Sequence, residues 1–243
     1  MKLIVMIILF SAAPFAQGSS VTIFLAGDST MAAKMPEKRP ETGWGEMLGQ
    51  HFKNGTVRIE NRAMNGRSTK TFISEGRWQE IIDDLKKGDF VFVQFGHNDE
   101  SKDKGERYTP PEDYKKNLVR FVEEVRAKGG NPVLLTPVMR RRFDQDGKFY
   151  DTHGEYPGIV RVVANELKAP LIDMHHLSEV VIVKYGVEGS KKLFLQLKPG
   201  ENANYPNGIE DNTHFSPLGA EEMARLAVEG IRANKLNLSK YLR

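Results

Sequence analysis

Short apolar runs alternate with amphipathic segments along most of this chain. Val21–Ala26, Val57–Glu60, Phe90–Phe95, Val133–Thr136 and Leu171–Asp173 have the length and composition of strands. Phe90-Val91-Phe92-Val93-Gln94-Phe95 is apolar at nearly every position, as a strand covered on both faces should be. Thr109-Pro110-Pro111-Glu112 reads as a capping box with proline in the first turn. It would open a helix with Tyr114, Leu118, Phe121, Val122 and Val125 on its apolar face, ended by Gly129-Gly130. Tyr156–Leu167 predicts another helix, and Ser216-Pro217 predicts the cap of a last one carrying Leu218, Met223, Leu226, Ala227 and Ile231. Lys191–Glu210, rich in Gly, Asn, Pro and Lys, predicts a long surface loop. Strands alternating with helices imply an α/β fold: a three-layer α/β/α sandwich around a parallel sheet of five strands.

The first residues follow a different pattern. Lys2 precedes the apolar run Leu3–Phe10, and the small residues Ser11, Ala12 and Ala13 come next. This is the pattern of a secretory signal peptide, expected to occupy about residues 1–18, with one domain over 19–243 and an exported product. Past residue 20 no stretch is long and apolar enough to span a membrane. The 243 residues, 40% hydrophobic and 28% charged, suit one sizeable core. Cysteine is absent, so stability must come from that core rather than from disulfides. The net charge of +3 falls far short of a nucleic-acid binder, yet would not repel an acidic polymer.

In a parallel sheet, ligands bind outside the carboxyl ends of the strands. The polar motifs fall there. Gly27-Asp28-Ser29-Thr30 follows the first strand, Asn61 to Ser68 the second, Gly96-His97-Asn98-Asp99 the third, and Thr136 to Arg142 the fourth. Far downstream stands Asp211-Asn212-Thr213-His214. A carboxylate three residues before a histidine can hold the ring's Nδ1–H and leave Nε2 free to take a proton. A serine hydroxyl needs such a base before it attacks a carbonyl. Ser29, Asp211 and His214 are therefore the candidate nucleophile, orienting acid and base, in one of the chain orders found in hydrolytic triads. A negative charge developing on the attacked oxygen needs donors aimed at it. The Ser29 N–H, favoured further if Ser29 opens a helix, the Gly66 backbone and the Asn98 amide are the candidates.

Together the GDS tetrad, the later glycine, the G-x-N-D block and the terminal D-x-x-H resemble the SGNH (GDSL-like) hydrolases, esterases with a flavodoxin-like fold. A closer resemblance is to the rhamnogalacturonan acetylesterases, carbohydrate esterase family 12. It rests on Ala26–Thr30, Gly43-Trp44-Gly45, Gly96–Asp99, Thr136-Pro137-Val138 before the arginines, Thr152-His153-Gly154 and Asp211–Phe215. The resemblance implies a Ser29–His214–Asp211 triad and an oxyanion hole of Ser29, Gly66 and Asn98. It also implies an acetylated pectic polysaccharide as substrate. Such a triad and hole supply base, nucleophile and charge stabilisation, so no cofactor is expected. Thr30 stands where the superfamily's name-giving pattern has leucine, and suits the acetylesterase subgroup.

The remaining residues have competing readings. Asp28 and Asp99 are read as holding their loops. Trp44 is open between a sugar platform and a core aromatic. His97 is a candidate substrate contact or proton carrier, set against a hydrogen-bonded structural histidine. Arg140, Arg141 and Arg142 are candidate grips on galacturonate carboxylates, set against a solvated turn with one salt bridge. The Lys34–Glu41 run is read as an ordinary solvated loop. No histidine or acid spacing argues for a metal. The rival functions are an acetylxylan or other carbohydrate esterase, a metal-dependent phosphoesterase that a chelator would expose, and a non-catalytic carbohydrate-binding module.

Overall fold

The five apolar runs pair side by side, all in parallel. The computed structural model describes residues 21–243. It contains β1 (Val21–Gly27), β2 (Val57–Asn61), β3 (Phe90–Gln94), β4 (Asn131–Leu135) and β5 (Leu171–Ile172) in the order β2-β1-β3-β4-β5. The expected leader, residues 1–18, lies outside the described residues. Side chains alternate between the two faces of the sheet, as the pleat requires. Ile23, Leu25, Phe90, Phe92, Val133 and Leu135 enter one core. Phe24, Ala26, Val91, Val93 and Leu134 enter the other.

Helices close both faces. The first core is covered by the short α1 (Trp44–Met47), by α6 (Met174–Gly189) and by α7 (Pro217–Ala233). The second is covered by α2 (Thr69–Ser74), α3 (Arg77–Asp84), α4 (Pro111–Ala127) and α5 (Tyr156–Glu166). This is the three-layer α/β/α sandwich expected from the alternation. β4 carries Pro132 inside the sheet. Asn131 N–H donates to Asp89 O and Leu134 N–H to Pro170 O, so Pro132 faces the β5 side before β5 begins, where no ladder bond is lost.

Two expectations fail for local reasons. The capping box at Thr109 does not form: Pro110 is the N-cap of α4, and the Thr109 hydroxyl donates to Arg107 O. The helix starts later than the motif suggests, so that hydroxyl has no helix N–H within reach. Lys191–Glu210 is not one long loop either. It contains β6 (Phe194–Leu197), which pairs antiparallel with β7 (Ile209–Phe215). Four residues are too few to announce a period, but Phe194 and Leu195 are buried, and the Phe194 ring packs 5.4 Å from that of Phe215. The Ser216 cap is formed as expected, its hydroxyl accepting from Gly219 N–H at 3.1 Å. Helix α6 escapes a periodicity reading because its apolar residues fall on both faces, with Val180 and Val183 exposed opposite buried Val181 and Ile182.

Candidate functional site

β1 lies between β2 and β3, so the loops leaving three adjacent strands meet at one edge. The loop after β1 is a tight turn rather than a helix start. The N–H groups of Met31 and Ala32 both donate to Asp28 O, leaving Ser29 at the apex. A buried polar chain fixes this turn. The Asp28 carboxylate accepts from Thr30 N–H at 2.9 Å and from the Thr30 hydroxyl at 2.8 Å. That hydroxyl accepts from the Gln94 amide at 2.7 Å, and Gln94 Oε1 accepts from Trp44 Nε1 at 3.0 Å. Thr30 therefore has a task that leucine could not perform. Trp44 is fully buried and is a core aromatic, not a sugar platform. Its flanking glycines explain the Gly-Trp-Gly signal: Trp44 and Gly45 N–H donate to Thr30 O and Met31 O. A Cβ on Gly43 would lie 2.0 Å from Ala32 O. The motif backs the Ser29 turn from beneath.

The Asp-His pair comes from β7, outside the main sheet. Asp211 Oδ1 accepts from the N–H groups of Thr213 and His214, at 2.7 and 2.9 Å. Asp211 Oδ2 accepts from His214 Nδ1–H at 2.7 Å. With Nδ1 donating to a carboxylate, Nε2 is left as acceptor, and the Ser29 hydroxyl reaches it at 2.9 Å. Burial opposes ionisation of Asp211, but its bond and attraction to His214 and the two N–H bonds outweigh that and hold its carboxyl below the usual range.

Arg141 secures this strand. It donates to Asn212 Oδ1 at 2.9 Å, to Ser190 Oγ at 3.0 Å and to Val187 O at 2.5 Å. Its own N–H donates to Asn212 O at 2.8 Å. Buried and committed to Asn212, it holds the chain beside Asp211 and does not line the cavity over Ser29. Arg142 is exposed and lies outside that cavity too. Arg140 does line it, but is ion-paired with Glu100. The arginine triplet is thus a brace, a paired wall residue and a surface residue, because successive side chains in an extended segment point in different directions.

The three candidate oxyanion donors belong to residues that line one cavity, Ser29, Gly66 and Asn98. Among the described residues, neither the Ser29 nor the Gly66 backbone N–H donates to another group. Gly66 has φ +76°, a conformation costly to any residue with a Cβ. The Asn98 amide spends one hydrogen on Arg67 O at 3.0 Å, leaving the other available. Asp99 anchors that loop, accepting from Thr69 N–H at 2.9 Å and Thr69 Oγ1 at 2.6 Å. Burial pushes its carboxyl up to about 7.

Two further residues decide the shape of the site. The Lys34–Glu41 run, read from sequence as solvated, carries a buried lysine. Lys34 Nζ pairs with Glu41 Oε1 at 2.8 Å and donates to Asn65 Oδ1 at 2.9 Å and to the Ser29 carbonyl. It ties the nucleophile turn to the Asn65-Gly66 turn. Nothing local marked it, since only folding brings Asn65, 31 residues downstream, to the same ammonium as Glu41 and the Ser29 carbonyl. His97 lines the cavity at 5% exposure, its Nδ1 3.3 Å from Asp28 Oδ2 and its ring 4.6 Å from that of His153. Burial, partly countered by Asp28 and reinforced by Arg140 and His153, lowers its pKa to about 4, so the ring is neutral at pH 7. The cavity over Ser29 holds about 470 Å³ and has a largely polar wall.

The family model for GDSL-like lipase/acylhydrolases matches residues 25–221. A Bacillus subtilis (strain 168) protein named rhamnogalacturonan acetylesterase RhgT is 44% identical over 91% of this chain and 94% of its own length. The crystal structure of YxiM from Bacillus subtilis superposes with a TM-score of 0.76 at 27% identity, over 90% of this chain and 58% of that one. An acetylxylan esterase from Geobacillus stearothermophilus, Axe2, superposes with a TM-score of 0.62 at 19% identity, over 88% and 95% of the two chains.

Two outcomes follow from the buried polar groups. Removing one partner of a buried ion pair typically costs about 3–5 kcal/mol. Lys34→Ala is expected to lose stability in that range, and a denaturant midpoint equal to wild type would contradict it. The His97 pKa is depressed in the fold, so between pH 6.5 and 4 the unfolded chain binds the extra proton and stability falls as the pH falls. Wild type should lose about 2 kcal/mol more than His97→Gln between pH 7 and 5, measured by denaturant titration at each pH. Parallel losses would rule out a buried neutral His97.

Proposed function

Because the chain belongs to the GDSL-like lipase/acylhydrolase family and is a carboxylic-ester hydrolase, we propose that it removes O-acetyl groups from a pectic polysaccharide, rhamnogalacturonan. The observation that carries the substrate is the 44% identity to RhgT across nearly the whole of both chains. The likeness to Axe2, at 19% identity, speaks for the fold alone and leaves acetylxylan as the weaker reading. Export is part of the proposal, supported by the apolar run Leu3–Phe10 behind Lys2. A polymeric substrate also needs an open cleft, and Ser29 lies in one.

The chemistry follows from the distances. Ser29 Oγ attacks the acetyl carbonyl carbon while His214 Nε2, 2.9 Å away, takes the hydroxyl proton. The imidazolium so formed is stabilised by Asp211, which stays ionised. The carbonyl oxygen becomes an oxyanion and is met by the N–H groups of Ser29 and Gly66 and by the Asn98 amide. Two of these donors are backbone groups and the third is tied down through Arg67 O, which supports a hole needing little reorganisation as charge develops. Collapse of the tetrahedral intermediate breaks the ester C–O bond, and His214 gives its proton to the departing sugar oxygen, which leaves as a free hydroxyl. Water then repeats the sequence on the acetyl-serine, releasing acetate.

Ser29→Ala should abolish acetate release while leaving the fold intact. Acetate released from acetylated rhamnogalacturonan and from acetylated xylan, by wild type and by this variant, is the deciding measurement. Wild type is expected to favour the pectic polymer; preference for xylan would overturn the substrate, and a folded Ser29→Ala variant with normal turnover would overturn the nucleophile. Asn98→Ala should lower kcat by ~10²–10³, far more than it raises KM. A change confined to KM would place Asn98 in ground-state binding.

A further inference from the structure

The charges facing Ser29 are uneven. Lys38, Lys104, Arg107 and Arg140 line the cavity, against a single carboxylate, Glu41. Glu41 is neutralised by Lys34, and Arg140 by Glu100. Lys38, Lys104 and Arg107 have no acidic partner and donate no side-chain hydrogen bond among the described residues, so three cations face the cleft with nothing to balance them. Placing like charges around one cleft is unfavourable unless something of opposite sign binds there.

Lys104 and Arg107 are not on a loose surface arm. Their segment leaves the Asn98 loop, and its ends are drawn together where Thr109 N–H donates to Asp99 O at 3.0 Å. Arg107 N–H donates to Lys104 O at 2.7 Å, which places both cations on one short turn. The acids of the same segment, Asp103 and Glu106, do not line the cavity. The Arg107 guanidinium lies over Gly66: a Cβ built there would be 3.1 Å from Cζ and 3.2 Å from each terminal nitrogen. An unpaired, planar fork of donors thus sits over Gly66, which lines the same cavity as Ser29. Guanidinium matches a carboxylate with two parallel hydrogen bonds.

We infer that Arg107, with Lys104 beside it, binds the carboxylate of a uronate residue in the polysaccharide and presents the neighbouring acetyl ester to Ser29. This subsite rests on the pectic reading of the function and takes the place of the arginine triplet as the origin of acid recognition. It makes the enzyme selective for free-acid over methyl-esterified polymer, since the methyl ester keeps the sugar but removes the charge.

The test compares kcat/KM for acetate release from acetylated rhamnogalacturonan oligosaccharides as free acids and after methyl esterification. Wild type should favour the free acid by ~10–100-fold, the range for one charged hydrogen-bonded contact. Arg107→Gln should bring that ratio close to one, Lys104→Gln should lower it less, and added salt should lower it in wild type. Circular dichroism establishes that each variant is folded. A wild-type ratio near one, or a ratio unchanged in Arg107→Gln, overturns the subsite while the pectic function stands. Acetate release from acetylated xylan but from neither pectic substrate overturns the pectic reading, and the subsite with it.

Discussion

The parallel pairing of β1 with β2 on one edge and β3 on the other is the constraint on which the rest of the structure depends. It aligns Leu25 with Asn61 and Gly27 with Gln94, so three strands end at nearly one level. Ser29, Gly66 and Asn98 each stand a few residues beyond those ends. Their sequence separations are large, but the sheet makes them neighbours. Both faces of β1 are buried, and a slip of one residue would exchange Ile23 and Leu25 for Phe24 and Ala26 between two cores of different shape. The hydrophobic cores thus set the register, and the register sets the donors.

Polar bonds then refine what the sheet positions. The Ser29 turn is held by a chain from Trp44 through Gln94 and Thr30 to Asp28, every member of it buried. Breaking any one of these bonds would leave a buried polar group unpaired, which costs more than the bond returns. Lys34 extends this logic by joining the Ser29 turn to Asn65. Arg141 does the same for the separate β6–β7 pair, tying the strand that carries Asp211 and His214 at Asn212. Around the Ser29 cleft the bracing cations Lys34 and Arg141 are committed to protein partners, whereas Lys38, Lys104 and Arg107 line the cavity unpaired. That division separates groups that build the site from groups that await a ligand.

Strand and helix positions were legible because burial imposes periods. Phe90–Gln94 and Pro111–Ala127 declare themselves by which positions are apolar. The elements that escaped were those whose period is too short or too blurred, β6 with four residues and α6 with valines on both its buried and its exposed face. Ser29, Asp211 and His214 were legible because each sits in a compact run whose chemistry is local: a tight turn after a strand, and an acid three residues from a ring. Lys34 and Arg107 were not, because the task of a lysine or arginine depends on its surroundings: Lys34 reaches Asn65 beyond β2, and Arg107 lies over Gly66.

By itself, then, the sequence determined the layer order, the strands of the sheet and the residue types able to carry acyl transfer, since these depend on burial patterns and on motifs a few residues long. Tertiary structure decided the remainder. It sent Trp44 into the core, made Arg141 a brace and left Arg142 in solvent. It brought Ser29 within 2.9 Å of His214 across 185 residues. It also decided which cations are neutralised and which are not. A side chain's charge is written in the chain, but its pairing and exposure are properties of three-dimensional neighbours, and those neighbours exist only once the sheet has closed.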